Sequence, residues 1–283
     1  MKRVLTIQDI SCLGKCSITI TLPVISAMGV ETTILPTAVL STHTMFPGFK
    51  VKDLTDQLIP ITDHWKEQKI HFDGIYTGYL GSEEQIAIAE KIIEEFREED
   101  TLIFVDPVMG DNGKLYARFD DQYAKRNAMF CSKADIIVPN ITEACFMTDT
   151  EYRTEYDEAY VRKLVEKLSK FGSKKVVVTG VSLEPGKTGV YGLDTITGEK
   201  IVYQNEKVEV SFPGTGDIFA SVSVGALMRG MKLQDAFALA ADYTAKTIRE
   251  TLKDPDKPWY GVNFETTIPY LVEQLAERCH ENR

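Results

Sequence analysis

The sequence predicts an α/β fold: a mostly parallel central sheet, helices on both faces, and an antiparallel hairpin at the sheet edge. Three observations predict it. Short β-branched runs alternate with amphipathic helical stretches over the first 180 residues, the pattern of a parallel sheet covered on both sides. Two further strand runs then follow each other with only a turn between them. No Gly/Ser/Pro-rich linker interrupts the 283 residues, so a single domain over 1–283 is expected.

Strands are expected over 4–7, 32–40, 74–77, 102–105, 136–138 and 175–179. Helices are expected over 82–97 and 158–171; in the first, Ile86, Ala89, Ile93 and Phe96 recur at helical spacing and form one apolar stripe. The runs 188–193 and 199–204 flank the turn-rich DTITG and read as the edge hairpin. Two long helices, 217–229 and 233–252, come next; DPDKP (254–258) breaks the chain, and an amphipathic helix over about 266–277 closes it.

In open α/β sheets, ligands bind beyond the carboxyl ends of the strands. Those ends are polar or glycine-rich here: Gln8-Asp9, Thr77-Gly78-Tyr79, Asp106-Pro107, Pro139-Asn140 and Thr179-Gly180. They predict one site fed by many loops.

The net charge of −10 and pI of about 5.0 argue against nucleic acid or an anionic membrane as partner. An anionic ligand therefore needs a local site built from backbone or metal. MKRVLTIQDI does not read as a signal peptide, no apolar run reaches the roughly 18 residues of a membrane span, and the five cysteines are scattered. A cytoplasmic protein is expected. Cys12 and Cys16 are a close pair with no second pair to complete a zinc site, and His280 in the tail attracts no role.

Gly14-Lys15 does not make a phosphate-binding GxxxxGK[ST] loop, because Asp9 and Cys16 occupy two of its diagnostic positions. DPVMGDNG (106–113) is richer. Asp106 and Asp111 are five residues apart and could hold Mg²⁺ through its water shell; an Asx-turn with a helix cap is the alternative. Asn140-Ile-Thr-Glu143 reads as a capping box, or as an amide and a carboxylate facing the same metal. Tyr79 offers a flat face to an aromatic ring, and Thr44, with His43 secondary, offers hydrogen bonds.

The sharpest motif is FPGTGD (212–217), which runs directly into an apolar helix. Gly214, Thr215 and Gly216 can turn N–H groups toward one point at the positive end of that helix. Asp217 then stands beside an anion hole as a base, or simply caps the helix.

GTGD, DPVMGDNG, VPNITEA, TGYLGS and STHT together resemble the ribokinase superfamily, and more narrowly its vitamin B6 kinase branch. The resemblance covers nearly the whole chain. It implies a ribokinase-like fold and ATP-dependent phosphorylation of the 5′-hydroxymethyl group of pyridoxal, pyridoxamine or pyridoxine. It implies Asp217 as catalytic base and Gly214, Thr215 and Gly216 as the anion hole. Asp106, Asp111, Asn140 and Glu143 become the phosphate neighbourhood, with Asp111 and Glu143 on Mg²⁺; Tyr116, Thr179 and Gly180 meet ATP. Asp9, Thr44 and Tyr79 hold the ring. A homodimer is implied, and a K⁺ requirement is left open. The chain departs from the family at one place: many pyridoxal kinases carry serine where this chain has Asp9, which favours a cationic or donor-bearing acceptor and keeps pyridoxamine, or a hydroxymethylpyrimidine, open. A nucleotide sensor that has lost catalysis is the reading outside the enzyme class.

Overall fold

The computed structural model describes the backbone of residues 1–281 and the side chains of 1–279, so the side chain of His280 lies outside the described residues. The first third of the chain runs β1 (Arg3–Leu13), α1 (Ile18–Ala27), β2 (Glu31–Thr42), β3 (Val51–Asp53), α2 (Thr55–Glu67), β4 (Gly74–Thr77) and α3 (Glu83–Phe96). Then come β5 (Leu102–Val105), β6 (Gly110–Asp111), β7 (Lys114–Leu115), α4 (Asp121–Phe130), β8 (Ile136–Ile137), α5 (Ile141–Met147) and α6 (Glu158–Leu168). The last third is β9 (Lys175–Val181), β10 (Lys187–Asp194), β11 (Lys200–Glu206), α7 (Thr215–Met228), α8 (Leu233–Lys253) and α9 (Ile268–Glu281).

Among the described residues, nine strands form one sheet in the order β11-β10-β9-β8-β5-β4-β1-β2-β3. The ladders from β2 through β9 are parallel, and β10–β11 is the antiparallel edge hairpin that the sequence predicts. Asp194 closes that hairpin as an Asx-turn: its Oδ1 accepts the N–H groups of Ile196 and Thr197. At the other edge, β3 adds a further antiparallel pairing, after β9–β10 and β10–β11, that the sequence reading does not anticipate.

Strand alternation explains the two cores. Leu5 and Ile7 of β1, Ile75 of β4, and Ile103 and Val105 of β5 pack with α3, α4 and α6 on one face. Their neighbours Val4, Tyr76 and Phe104 pack with α1, α7, α8 and α9 on the other. Each strand is apolar on both sides, as burial on both faces of a parallel sheet requires.

One sequence expectation is corrected. Gln8-Asp9 is not the end of β1. The ladder with β4 stops at Ile7↔Thr77, but the ladder with β2 continues to Leu13↔Thr42. Its register shifts at Asp9, where two residues of β2, Thr37 and Ala38, face one of β1. Asp9 therefore sits at a β-bulge inside a ribbon that projects past the sheet. Bulges re-aim side chains, and they are over-represented next to active sites.

Candidate active site

The site forms where the carboxyl ends of β4, β5, β8 and β9 meet the N-terminus of α7. Gly214 is the N-cap of α7 at φ 81°, a left-handed conformation that favours glycine. A Cβ there would stand 1.8 Å from the carbonyl oxygen of Lys15. This is why glycine precedes the helix: the 14–17 loop packs directly on it. No side chain caps the helix, so its first-turn N–H groups remain available to an anion. A Cβ on Gly216 would meet nothing within 4 Å, so Gly216 opens on free space.

That space is a cavity of about 410 Å³. Gly214, Thr215, Gly216 and Asp217 line one wall, and Asp106, Asp111, Asn140 and Glu143 line another. Tyr116, Thr179 and Gly180 reach it from the β7 and β9 sides. An apolar end is made by Val208, Phe212, Ala241, Ala245 and Ile248. All eleven residues read as catalytic, metal or nucleotide neighbours thus meet at one cavity, joined by tertiary structure from separate loops.

Asp217 lies in the first turn of α7, half-buried. Its Oδ2 accepts the backbone N–H of Ser17 at 2.9 Å. Burial pushes its carboxyl up to about 7; the Ser17 amide partly offsets this, and the charge of Asp9 adds to it. A carboxylate poised near neutrality suits proton transfer at physiological pH. The helix-cap alternative is not what the structure forms, because the N-cap is Gly214 and Asp217 reaches across to another segment.

Asp106 directly follows β5, 7% exposed, and its N–H donates to Thr77 O. Burial raises its carboxyl well above the usual range, and the charges of Glu143 and Asp217 raise it further. Glu143 forms the capping box of α5 with Asn140. Its Oε2 accepts the Asn140 N–H at 2.8 Å and its Oε1 accepts the Met109 N–H at 3.0 Å, so it also holds down the DPVMG loop. Burial lifts it to about 8 against the pull of those N–H groups. Asn140 meanwhile donates to Gly110 O at 2.8 Å.

Asp111 is exposed at the head of a two-residue hairpin, β6–β7, whose Asn112 and Gly113 both have positive φ (50° and 75°). Asn-Gly is the preferred pair for such a turn. Asp111 accepts the Asn112 N–H at 2.8 Å. At Gly180, φ is 69° and a Cβ would meet nothing within 4 Å, leaving the backbone above β9 open.

The three residues read as ring-holding do not line this cavity. Asp9, 5% exposed, accepts hydroxyl hydrogen bonds from Ser17 (2.7 Å to Oδ1) and Ser11 (3.2 Å to Oδ2). Burial raises its carboxyl, which those hydroxyls partly offset. Tyr79 stacks at a tilt on Phe119, and burial raises its phenol, with Asp9 adding to the effect across the space between them. Thr44 is exposed on the loop after β2. His43 receives the Met45 N–H at Nδ1 and faces Tyr260 O with Nε2 at 3.1 Å, which assigns the proton to Nε2 and a structural task to the ring.

Sequence reasoning passed over Ser17 and Ser11, and set Lys15 aside with the phosphate-loop reading. Ser17 and Lys15 meet Asp217 and Glu265, 200 and 250 positions away, and although Asp9 lies only two and eight positions from Ser11 and Ser17, no motif marks their pairing. Lys15, the remnant of the failed phosphate-loop reading, pairs with Glu265 at 2.7 Å and anchors the loop against Gly214. Cys12 is exposed and Cys16 partly buried, and no group of three metal-capable side chains occurs among the described residues.

The family model described as phosphomethylpyrimidine kinase matches residues 18–257. A Bacteroides thetaiotaomicron protein provisionally named a phosphomethylpyrimidine kinase, solved with pyridoxal, is 38% identical, with a TM-score of 0.90 over 95% of both chains. The pyridoxal kinase of Lactobacillus plantarum is 30% identical, with a TM-score of 0.87 over 96% of this chain and 97% of its own. The pyridoxal kinase of Dictyostelium discoideum is 26% identical over 80% of this chain and 78% of its own. The chain belongs to the phosphomethylpyrimidine kinase family, in the ribokinase-superfamily branch that contains the pyridoxal kinases.

Proposed function

We propose that the chain, acting as one catalytic unit, transfers the γ-phosphoryl group of ATP to the 5′-hydroxymethyl group of a B6 vitamer. One observation carries this reading. Asp217 lines a cavity that fits a nucleotide and shares Ser17 with Asp9, a buried carboxyl that suits a donor-bearing ring. In the proposed step Asp217 takes the proton of the acceptor hydroxyl, the freed oxygen bonds to the γ-phosphorus, and the bond to the departing ADP oxygen breaks. The N–H groups at Gly214, Thr215 and Gly216 receive the charge that develops on the transferred group. Tyr116, Thr179 and Gly180 border the nucleotide, and Thr44 closes the ring side.

A hydrated divalent cation fits beside Asp106, Asp111 and Glu143, which share one wall of the cavity. Asp111 and Glu143 would hold Mg²⁺ through its water shell, since both Glu143 oxygens already accept backbone N–H groups. When bound, Mg²⁺ supplies positive charge to the transferring phosphate. A homodimer is supported by exposed Leu13, Met45 and Val51 around the projecting ribbon, and a cytoplasmic location by five free cysteines.

The deciding experiment is a panel of pyridoxal, pyridoxine, pyridoxamine and hydroxymethylpyrimidine with Mg-ATP, ranked by kcat/KM. A B6 vitamer should lead. A clear lead for the pyrimidine would move the chain to that acceptor, and ATP hydrolysis unstimulated by any acceptor would favour a sensor.

Asp9→Ser, which restores the residue common in pyridoxal kinases, should shift the pyridoxamine-to-pyridoxal ratio of kcat/KM toward pyridoxal by about 10- to 150-fold. That is the effect of losing one hydrogen bond to a charged group, about 1.5–3 kcal/mol. An unchanged ratio would remove Asp9 from acceptor selection.

Gly216→Val separates binding from folding. Its side chain would enter free space, so the melting temperature should hold while KM for ATP rises about tenfold or more through lost anion contacts. Calorimetric ATP binding checks this directly, and native affinity would place the phosphates elsewhere.

A further inference from the structure

Ser17 is the residue this structure makes hardest to explain by folding alone. It occupies the N-cap position of α1, yet its side chain makes no capping hydrogen bond. Serine is a preferred N-cap because its oxygen satisfies a first-turn N–H, and that gain is given up here. Its backbone lies at φ 51°, ψ −134°, a region populated mainly by glycine. Ser17 is also 6% exposed, so solvent does not compensate it.

Both anomalies serve the same pair of contacts. The hydroxyl, turned away from the helix, donates to Asp9 Oδ1 at 2.7 Å. The backbone N–H, turned by the positive φ, donates to Asp217 Oδ2 at 2.9 Å. One residue thus bridges two site carboxyls that are 208 positions apart in the chain, one on β1 opposite the β2 bulge and one at the head of α7. Ser11 braces the other oxygen of Asp9 at 3.2 Å, so the tether has a fixed anchor.

We propose that Ser17 is a positioning residue: its hydroxyl, tied to Asp9, holds the strained backbone that aims its amide at Asp217 and so orients the base. The proposal rests on the reading of Asp217 as base given above. It assigns Asp9 a second task besides contact with the acceptor, because the acceptor-side carboxyl and the base become mechanically linked through one residue. A ligand that draws the Asp9 carboxyl toward itself would pull on the same residue that orients Asp217.

The roles of hydroxyl and backbone separate by substitution. Ser17→Ala removes the tether but keeps a Cβ, which disfavours positive φ, so the amide should swing away from Asp217. Ser17→Gly also removes the tether, but glycine adopts this φ and ψ freely and should keep the amide in place. With saturating Mg-ATP and pyridoxal, Ser17→Ala is expected to lose at least tenfold in kcat, with KM for ATP within threefold of the parent. Ser17→Gly is expected to recover to within about threefold of the parent kcat. The Asp217 carboxyl, followed by carbon NMR in the ligand-free protein, should titrate at higher pH in Ser17→Ala and near its parent value in Ser17→Gly. That titration must be read against the other groups that face the site: Asp9, Asp106, Glu143, Cys16, Tyr76 and Tyr116 around Asp217, and His43 and Tyr79 around Asp9.

A parental kcat in a folded Ser17→Ala would overturn the tether. So would equal losses in both variants, since the hydroxyl would then act by itself. Asp217→Asn run alongside keeps the two readings apart: if it retains turnover, the base assignment fails, and if it alone is inactive, only the tether fails.

Discussion

Asp217→Asn is expected to lose about 10³-fold or more in kcat while melting at a higher temperature than the parent protein above pH 7. The two effects share one origin. Burial raises the Asp217 carboxyl from 3.8 to about 7, so the native state favours the neutral form. A carboxyl raised in this way contributes stability that is present below pH 4 and is lost as pH climbs through about 7. Asparagine reproduces the neutral form at every pH and can still accept the Ser17 N–H. A rise of that size corresponds to about 4 kcal/mol, and Asp217 is only half-buried, so a gain on the order of 2 kcal/mol at pH 8 is expected, vanishing near pH 4. Removing a general base typically costs 10²–10⁴ in rate, and here no neighbouring carboxyl occupies the same place. In the parent protein kcat/KM should rise with pH through a limb near 7, because the base must be ionised. Thermal melts at pH 4 and 8 with steady-state kinetics check both halves. Turnover within tenfold of the parent would end the mechanism, and an unchanged melting temperature at pH 8 would end the account of the raised carboxyl.

Gly214→Ala should be the most damaging single-methyl change in the site. Two costs add. An L-residue at φ 81° loses roughly 1–2 kcal/mol to the left-handed conformation. The new methyl would also stand 1.8 Å from the Lys15 carbonyl, which must move, and overpacking of this kind costs about 1–3 kcal/mol. The 14–17 loop cannot yield easily. Lys15 is pinned by Glu265 and lies over the Phe264 ring at 5.6 Å, and the Cβ and Cγ of its side chain press against Gly261. The same displacement moves Ser17 off Asp217. We expect a loss of about 2–5 kcal/mol in stability by denaturant titration and of at least 10²-fold in kcat, even where the protein remains folded. Gly216→Ala is the matched control, since its methyl meets free space. Equal stability of the two alanine variants would contradict the close approach of loop and helix.

Much of the fold was legible because its signals are local. The strands predicted over 74–77 and 102–105 are β4 and β5 residue for residue, and the helix predicted over 233–252 differs from α8 by one position. These elements are apolar with a clear period, and turn residues bound them. The ribbon formed by the second half of β1 was not legible. Ile10-Ser-Cys-Leu13 carries no strong alternation, and it remains a strand because β2 supplies the partner. The edge strand β3 is three residues of VKD, too short and polar to stand out before it pairs with β2.

The cavity side of the candidate site was legible for the same reason as the fold. Glycine turns and capping residues follow strands in fixed local patterns, so GTGD, DPVMGDNG and NITE announce loops at strand ends without reference to anything distant. By itself the sequence determined the α/β class, the edge hairpin and the membership of eleven residues in one strand-end cleft. Tertiary structure alone decided which of those carboxyls carry a raised proton affinity, that Glu143 is bound by backbone, and that Asp9 sits opposite the β2 bulge, tied through Ser17 to Asp217. The physical reason is range. Turns, caps and strand ends depend on residues within a few positions, whereas burial, like-charge repulsion and the Ser17 bridge depend on segments up to about two hundred positions away, brought together only when the sheet closes over its helices.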